Sequence, residues 1–260
     1  MTQEHGNTII GIVVPTMGTR PQFLTACIDS IRRGGDAHIC LVGPPSVEHS
    51  PLRAKCDSFI VDNGNGLAAA INAGIASLPE QISFVNWLGD DDLVSPQSLS
   101  KLQALLMEHR DVVVAYGHCH YINTAGETLF TVRAGRWAEI LLRCGPQLIS
   151  QPAMLFRRDT FQLIGGLDQG LGWAFDLDLL LKLRRHGRFK SIPEVVASYC
   201  WHEGALTVGN RNQSVREASA VRVRHLPRFI RPFSRLWEPF IRWSVLQTGE
   251  TLSRRYLKSA

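Results

Sequence analysis

Residues 84–92 read Phe-Val-Asn-Trp-Leu-Gly-Asp-Asp-Asp, an apolar run that ends in three consecutive carboxylates. A short apolar run of this kind is typical of a strand buried inside a sheet. Adjacent carboxylates repel one another, so three of them in a tight turn either point into water or share a cation. Carboxylates that point into water would still stabilise the helix that follows, because its N-terminus carries a partial positive charge. The residues by themselves therefore leave a solvated turn and a cation site open.

A pattern of strand followed by helix extends from this stretch in both directions. β-Branched runs predict four more strands, at residues 8–14, 38–42, 58–61 and 111–116. Apolar residues at helical spacing predict three helices, at residues 21–31, 67–78 and 96–106. Ser95 is the expected N-cap of the third helix, with Pro96 as its first residue. Such alternation predicts an α/β fold with a Rossmann-like, mostly parallel central sheet flanked by helices. Ligands bind such sheets outside the carboxyl ends of the strands, where the acidic turn lies.

Composition excludes several classes of protein. The chain has 260 residues, 45% of them hydrophobic, and a mean hydropathy of −0.02, as expected for a globular protein. Its six cysteines form no CxxC pair, which excludes a zinc ribbon and predicts buried, reduced thiols. The first residues lack the pattern of a signal peptide, and no uncharged apolar run reaches the roughly 18 residues of a membrane span. These features predict a cytoplasmic protein.

Several short motifs, in order along residues 8–207, resemble those of glycosyltransferase family 2, whose members have the GT-A fold. They are Val14-Pro15-Thr16, Asn65-Gly66 with Asn72 and Gly74, the acidic turn, Tyr116-Gly117, residues 150–158 and 165–168, Asp176 at a helix start, and Tyr199-Cys-Trp-His202 with Thr207. The resemblance implies a GT-A catalytic domain over residues 1–210, with a nucleotide-sugar half at about 1–117 and an acceptor half at about 118–210.

The same resemblance implies a reaction. A sugar would pass, with inversion, from a nucleotide-diphosphate sugar to a hydroxyl of a saccharide or lipid-linked saccharide acceptor. Members of the family make cell-surface polysaccharides and glycolipids. The transfer needs positive charge at the diphosphate leaving group, which a divalent ion supplies.

Roles for residues on the donor side also come from the resemblance. It gives Asp91 and Asp92 as candidates for contacts with a divalent metal, Mn2+ or Mg2+, and with the ribose. His202 is expected to be a further ligand of the metal or a hydrogen-bond donor to the diphosphate. Asp90-x-Asp92 is also a literal DxD, so the residues of the turn that touch the metal stay open. The residues expected to bind the nucleotide sugar are Pro15, Thr16, Met17, Arg20, Asn65, Gly66, Ala70, Asn72, Asp90 and Asp91.

The acceptor side is expected at the helix that begins near residue 176. Asp176 and Asp178 stand two apart and do not share a helix face, so only one of them can point into the cleft. The resemblance selects Asp176 as the general base for the attacking hydroxyl. Gln151 and Trp173 are expected to bind the acceptor, Trp173 because an indole can stack on a sugar. Asp178 is expected to stabilise the helix as a negative charge at its N-terminus, or to bind the acceptor if it is the residue that points into the cleft.

Four departures from the family pattern leave the donor open. One is Ile71, which stands where the family often has Arg or Lys before the residue matched by Asn72. The acidic residue that usually ends the second strand, and that hydrogen-bonds the nucleotide base, is replaced by Gly43-Pro44-Pro45. Gly89 stands at the first acidic position of the metal turn, and Phe175 replaces the common Glu before the base. The motifs therefore predict the reaction type but not the base or the sugar.

Residues 211–260 form a basic, helical C-terminal tail with 11 basic and three acidic residues, against 17 and 20 in residues 1–210. Apolar residues recur there at helical spacing, at Leu226, Phe229, Ile230, Phe233, Leu236, Trp237, Phe240 and Ile241. One interpretation is an amphipathic segment on the anionic inner face of a membrane. The other is a tail packed on the body, or on the second subunit of a homodimer. Three prolines interrupt any continuous helix. No nucleic-acid motif accompanies the basic run, which argues against a nucleic-acid partner.

Two other functions remain. Gly18-Thr-Arg-Pro21 faintly resembles the glycine-rich start of a sugar-1-phosphate nucleotidyltransferase, but the Lys and further glycines of that start are missing. Such an enzyme would consume a nucleoside triphosphate. The departures at the donor side also leave open a non-catalytic module that binds a sugar nucleotide without transferring the sugar.

Overall fold

A nine-stranded sheet forms the centre of the protein in the computed structural model, which describes residues 9–202 and 210–256. Its strands are β1 (Ile10–Pro15), β2 (Ala37–Gly43), β3 (Ser58–Val61), β4 (Phe84–Trp87), β5 (Leu93–Val94), β6 (Val112–Ile122), β7 (Thr128–Val132), β8 (Met154–Arg157) and β9 (Arg188–Cys200). The order is β3-β2-β1-β4-β8-β6-β9-β5, with β7 paired to β6. The strands β1 to β4 are parallel to one another, and β6 is parallel to β9, whereas β8 is antiparallel to both its neighbours. The predicted mostly parallel sheet is confirmed.

Helices cover both faces of this sheet. They are α1 (Pro21–Gly34), α2 (Pro45–Glu48), α3 (Leu67–Ser77), α4 (Ser98–Glu108), α5 (Ala138–Cys144), α6 (Arg158–Leu163), α7 (Phe175–Leu183), α8 (Arg211–His225) and α9 (Glu238–Tyr256). Short 3-10 helices occur at Pro51–Lys55, Gln151–Ala153 and Arg231–Leu236. Alternate residues of β1 enter opposite cores, Val13 with α3 and α7, and Ile12 with α1 and α4, as the period of a strand requires.

Helix α3 lies close to the sheet because it is built from small residues. A Cβ atom on Gly74 would come within 2.6 Å of Val13 Cγ1 and 2.9 Å of Val42 Cγ2. Contacts that short do not occur, so a larger residue would push α3 away from β1 and β2. The small residues of α3 thus let its backbone approach β1 and β2 closely.

Helix α4 begins later than the sequence predicts. Leu93–Val94 forms β5 against β9, and the Ser95 N–H donates to Val196 O at 2.9 Å. The helix starts only at Ser98, after Gln97 at φ 60°. The N-cap prediction for Ser95 is wrong because this residue continues the sheet edge, a long-range contact that local capping rules do not contain.

The cysteines are free, as predicted, and five of them are buried, but Cys144 is exposed at the end of α5. Among residues 9–202 and 210–256, no helix is both long and apolar enough to cross a bilayer. The tail packs on the body through α8, which contacts α7 and α5. Arg222 of α8 pairs with Glu238 of α9 at 2.8 Å, and both side chains are buried.

Candidate active site

The acidic turn follows β4 at the carboxyl edge of the sheet, beside the end of β1. Thr16 Oγ1 donates to Asp90 Oδ2 at 2.6 Å. The guanidinium of Arg20 spans two carboxylates, with Nη2 2.5 Å from Asp90 Oδ1 and Nη1 2.7 Å from Asp91 Oδ2. Asp90 and Asp92 are only 7% and 4% exposed. The solvated-turn interpretation is therefore wrong, because the carboxylates are buried and meet a cationic side chain.

The end of β9 brings an imidazole to the same point. His202 Nε2 lies 2.8 Å from Asp91 Oδ2 and 3.2 Å from Arg20 Nη1. Nε2 either donates a proton to Asp91 or accepts one from Arg20, and one neutral tautomer cannot do both. A divalent cation would instead accept Asp91 and His202 together as ligands, so the residues present fit such an ion.

Cys200 joins this group, although the sequence analysis did not select it. Ligand atoms of Asp91, Cys200 and His202 all lie within 4.8 Å of one another. The signal was present in the motif Tyr199-Cys-Trp-His202, where Cys200 precedes His202 by two residues and so shares its side of an extended strand.

Asp92 lies in the same turn but faces the protein interior. Its Oδ1 accepts the Cys200 N–H at 2.9 Å, which fastens the turn to β9. Burial, with the negative charge of Asp91 adding to it, raises the pKa of Asp92 well above its usual range. The contact explains how the turn is held, while metal binding by Asp92 stays a prediction.

The other residues predicted to bind the nucleotide sugar differ in how far they are exposed to solvent. Met17 is 66% exposed after β1, and Asn65 and Gly66 are exposed before α3, where Gly66 has a φ of 94° that favours glycine. Pro15 is half-buried. Ala70 is buried in the core, and its contact with the nucleotide sugar stays a prediction.

Asn72 links α3 to the segment that precedes α7. Its Nδ2 donates to Leu167 O, and its Oδ1 accepts the Leu167 N–H, both at 2.9 Å. This pair of bonds gives Asn72 a structural role that the motif did not suggest, and its contact with a nucleotide stays a prediction.

Asp176 stands at the start of α7 and is half-buried. Gln147 Nε2 donates to its Oδ2 at 2.8 Å, a contact that sequence reasoning missed. Phe175, the departure from the family pattern, packs its ring 6.1 Å from that of Trp87 and so joins α7 to the strand that carries the acidic turn. Burial raises the pKa of Asp176, and the charge of Glu217 adds to this. A raised carboxyl pKa suits a general base that works near neutral pH.

Glu217 of the tail holds the loop that leads into α7. Its carboxylate accepts the backbone N–H groups of Gly172, Trp173 and Ala174, at 3.0, 2.6 and 2.7 Å. Free N–H groups at a helix start favour a negative charge, which here comes from α8. A tail packed on the body was one of the two interpretations of residues 211–260, but no sequence signal indicated this contact of Glu217. Helix α8 therefore supports the loop that leads into α7.

Asp178 does not face the cleft. It has no exposed surface, and it pairs with Lys182 at 2.8 Å and with Arg224 and His225 at 2.6 Å. Burial opposes its charge, but hydrogen bonds from His225, Lys182 and Arg224 hold the pKa of Asp178 well below its usual range. The prediction that Asp178 binds the acceptor is wrong, because its carboxylate anchors the tail to α7.

The other two residues predicted for the acceptor are half-buried. Gln151 Nε2 donates to Asn86 Oδ1 at 3.0 Å and to Trp87 O at 2.7 Å. Trp173 Nε1 is buried and donates to no group in the part of the chain that the structure describes. An unpaired buried donor is costly, so the indole has capacity for a hydrogen bond to a ligand. Their contacts with an acceptor stay predictions.

Removing the Asp178 carboxylate should destabilise the protein. In Asp178→Ala three basic partners lose their counter-charge, and we expect the free energy of unfolding to fall by about 3–5 kcal/mol. Because the folded pKa is lowered, the contribution of Asp178 is complete above the unfolded pKa of about 3.9 and is lost as the pH falls through the folded pKa. The difference in stability between wild type and variant should therefore narrow below about pH 4. Urea denaturation over a pH series measures both effects.

The control is Glu194→Gln, which removes an exposed ion pair with Lys101. Exposed pairs contribute little, so this change should cost less than about 1 kcal/mol at any pH. Equal stability of Asp178→Ala and Glu194→Gln would contradict an anchoring role for Asp178.

Known proteins resemble this chain in sequence and in structure. The family model Glycosyl transferase family 2 matches residues 11–162. The O-antigen biosynthesis protein RfbC of Myxococcus xanthus is 23% identical over 230 residues, which are 84% of this chain and 18% of that protein. The chain thus spans less than a fifth of that relative. The motif residue Thr207 lies outside the described residues.

Two solved structures illustrate the likeness of fold. The mannosyltransferase PcManGT from Pyrobaculum calidifontis, in complex with GDP-Man and Mn2+, has a TM-score of 0.65 and 15% identity, over 97% of this chain and 76% of that chain. S. aureus TarS 1–349 in complex with UDP-GlcNAc has a TM-score of 0.61 and 14% identity, over 86% and 72% of the two chains. These likenesses confirm the predicted GT-A fold. Because the family model covers more than half of the residues, the chain belongs to glycosyltransferase family 2.

Proposed function

We propose that the protein is an inverting glycosyltransferase that moves a hexosyl group from a nucleotide-diphosphate sugar to a hydroxyl of a saccharide or lipid-linked saccharide. The observation that carries the proposal is the meeting of Asp91, His202 and Arg20 at one point of the sheet edge. Phe175 and Trp87 connect that edge to the helix of Asp176. A charged site for a diphosphate and a carboxylate with a raised pKa are the two elements that the reaction needs.

On the donor side, Asp91 and His202 would hold Mn2+ or Mg2+. The ion, when bound, adds positive charge beside the diphosphate. The Arg20 guanidinium can bind the same phosphate oxygens, since arginine recognises phosphate through a planar pair of N–H groups. Thr16 keeps Asp90 fixed beneath Arg20.

On the acceptor side, Asp176 takes the proton of the attacking hydroxyl through Oδ2 or Oδ1. The hydroxyl oxygen forms a bond to the anomeric carbon, and the bond from that carbon to the phosphate oxygen breaks, so the nucleoside diphosphate leaves. Attack from the opposite face inverts the anomeric carbon. Gln147 holds the carboxylate in one orientation, and the half-buried indole of Trp173 would stack on the acceptor sugar.

The biological setting is also a proposal. RfbC is described as an O-antigen biosynthesis protein, PcManGT is bound to GDP-Man and Mn2+, and TarS to UDP-GlcNAc. These names support a nucleotide-sugar donor, whose base stays open, and a role in polysaccharide synthesis. We place the reaction in the cytoplasm, with a cell-surface polysaccharide or glycolipid as its product. Membership of family 2 argues against the nucleotidyltransferase alternative.

A thermal-shift screen of nucleoside diphosphates, with and without Mn2+, tests the proposal. We expect one base to raise the melting temperature only with the metal, and its sugar derivatives to release nucleoside diphosphate when acceptor is added. Binding without release would favour the non-catalytic module. No shift with any nucleotide would overturn the proposal.

A further inference from the structure

The middle of the C-terminal tail, residues 229–243, has two opposite faces. Ser234, Glu238 and Ile241 are buried against the rest of the protein. The other side, called here the outer face, consists of large apolar side chains that are 58–80% exposed: Phe229, Phe233, Leu236, Phe240 and Trp243. Phe233 and Leu236 stand three residues apart in a 3-10 helix, and Phe240 and Trp243 stand three residues apart in α9, so each pair shares one side of its helix. The tail is therefore amphipathic with its apolar side outward.

Exposed apolar side chains are concentrated in this part of the chain. Five of the twelve exposed large hydrophobic side chains among the described residues lie within these 15 positions. The rings of Phe240 and Trp243 contact each other with centroids 5.9 Å apart. Single exposed apolar residues are ordinary, whereas a contiguous group of them marks an interaction surface.

The charge around the outer face has one sign. Arg228, Arg231 and Arg235 are exposed among its apolar side chains. Between residues 226 and 248 the only acidic residue is Glu238, which is buried against Arg222. The partner of this surface must therefore accept aromatic side chains and carry negative charge.

We propose that the outer face docks on the surface of an anionic lipid bilayer. Aromatic side chains favour the membrane–water interface, and arginines are attracted to anionic headgroups. A second copy of the chain fits less well, because a two-fold contact sets the same arginines against each other. The proposal goes beyond sugar transfer and does not depend on it. Since α8 of the same tail holds the loop before α7 through Glu217, docking would fix the acceptor half relative to the membrane.

The test is sedimentation of the full chain with vesicles of phosphatidylcholine alone, and of phosphatidylcholine mixed with phosphatidylglycerol. We expect binding only to the anionic vesicles, weakened by salt. Phe233→Ser/Phe240→Ser and Arg228→Gln/Arg235→Gln should each weaken binding about tenfold or more. Matched controls are Ile140→Ser/Leu163→Ser, which removes equally exposed apolar groups elsewhere, and Arg33→Gln/Arg110→Gln, which removes the same charge. Both controls should bind like wild type.

Circular dichroism and melting temperature verify that each variant is folded. Equal binding to neutral and anionic vesicles, or binding to neither, would overturn the proposal. So would a concentration-dependent dimer that the outer-face variants abolish, since the face would then be an interface between copies.

Discussion

Replacing Asp176 by Asn is expected to abolish sugar transfer while leaving the donor site intact. Asn has nearly the same shape and keeps an oxygen for the Gln147 amide, but it cannot take a proton from the acceptor hydroxyl. Loss of a general base lowers turnover by about 10²- to 10⁴-fold. Steady-state release of nucleoside diphosphate measures turnover, and the thermal shift with nucleotide and Mn2+ should match that of wild type.

The pH dependence of wild-type turnover gives a second measure of Asp176. A base must be deprotonated, so turnover rises with pH through the pKa of Asp176 and then levels off. Because burial, with help from Glu217, raises the pKa of Asp176, the acid limb should lie above the usual value for Asp of about 3.9. Glu217→Gln removes the neighbouring charge and should move the acid limb to lower pH.

The control for Asp176 is Asp159→Asn. Asp159 also lies in the first turn of a helix, α6, but it is exposed and bonds only its neighbour Thr160 among the described residues. Turnover of this variant should equal that of wild type. Full activity in Asp176→Asn would rule out the assignment of Asp176 as the base.

The second large effect is expected from Asp91→Ala, which should remove metal-dependent nucleotide binding. The change deletes the carboxylate that contacts both Arg20 and His202. Altering even the outer partners of a metal site costs about 10- to 100-fold in affinity, so loss of a ligand should cost about 100-fold or more. Titration of Mn2+ followed by its electron paramagnetic resonance signal measures the metal directly.

Asp111→Ala is the matched control, since Asp111 is an exposed aspartate at the start of β6 and pairs only weakly with Arg188. Its Mn2+ affinity should be unchanged. Retention of wild-type Mn2+ affinity in Asp91→Ala would show that the ion, if it binds, uses other residues. Metal-independent nucleotide binding in wild type would instead favour Arg20 as the cation of the site.

The strands and the acidic turn could be predicted because their signals are local. A buried strand such as β1 is a continuous apolar run, and a turn at the carboxyl end of a parallel strand is the usual place for a ligand. The start of α4 could not be predicted in the same way. Serine is a common N-cap residue, but the backbone N–H of Ser95 donates to the carbonyl oxygen of Val196, about a hundred residues away.

Within the site, residue type alone could not separate carboxylates with different roles. Asp176 and Asp178 stand in the same helical turn, and one carries a raised pKa while the other carries a lowered one. Burial raises the pKa of Asp176, whereas at Asp178 the effect of burial is overcome by hydrogen bonds from His225, Lys182 and Arg224. His225 and Arg224 come from a distant segment of the chain. For the same reason the tail could not be recognised as a support of the loop before α7.

The sequence by itself determined the α/β class, the parallel order of the first strands and the position of the acidic turn, because hydrophobic period and turn chemistry act over a few residues. The tertiary structure decided which charges meet. Arg20 reaches Asp91 across 71 positions, and Glu217 reaches Trp173 across 44. Burial and charge pairing depend on all neighbours in space, so the roles of individual carboxylates follow only from the folded chain.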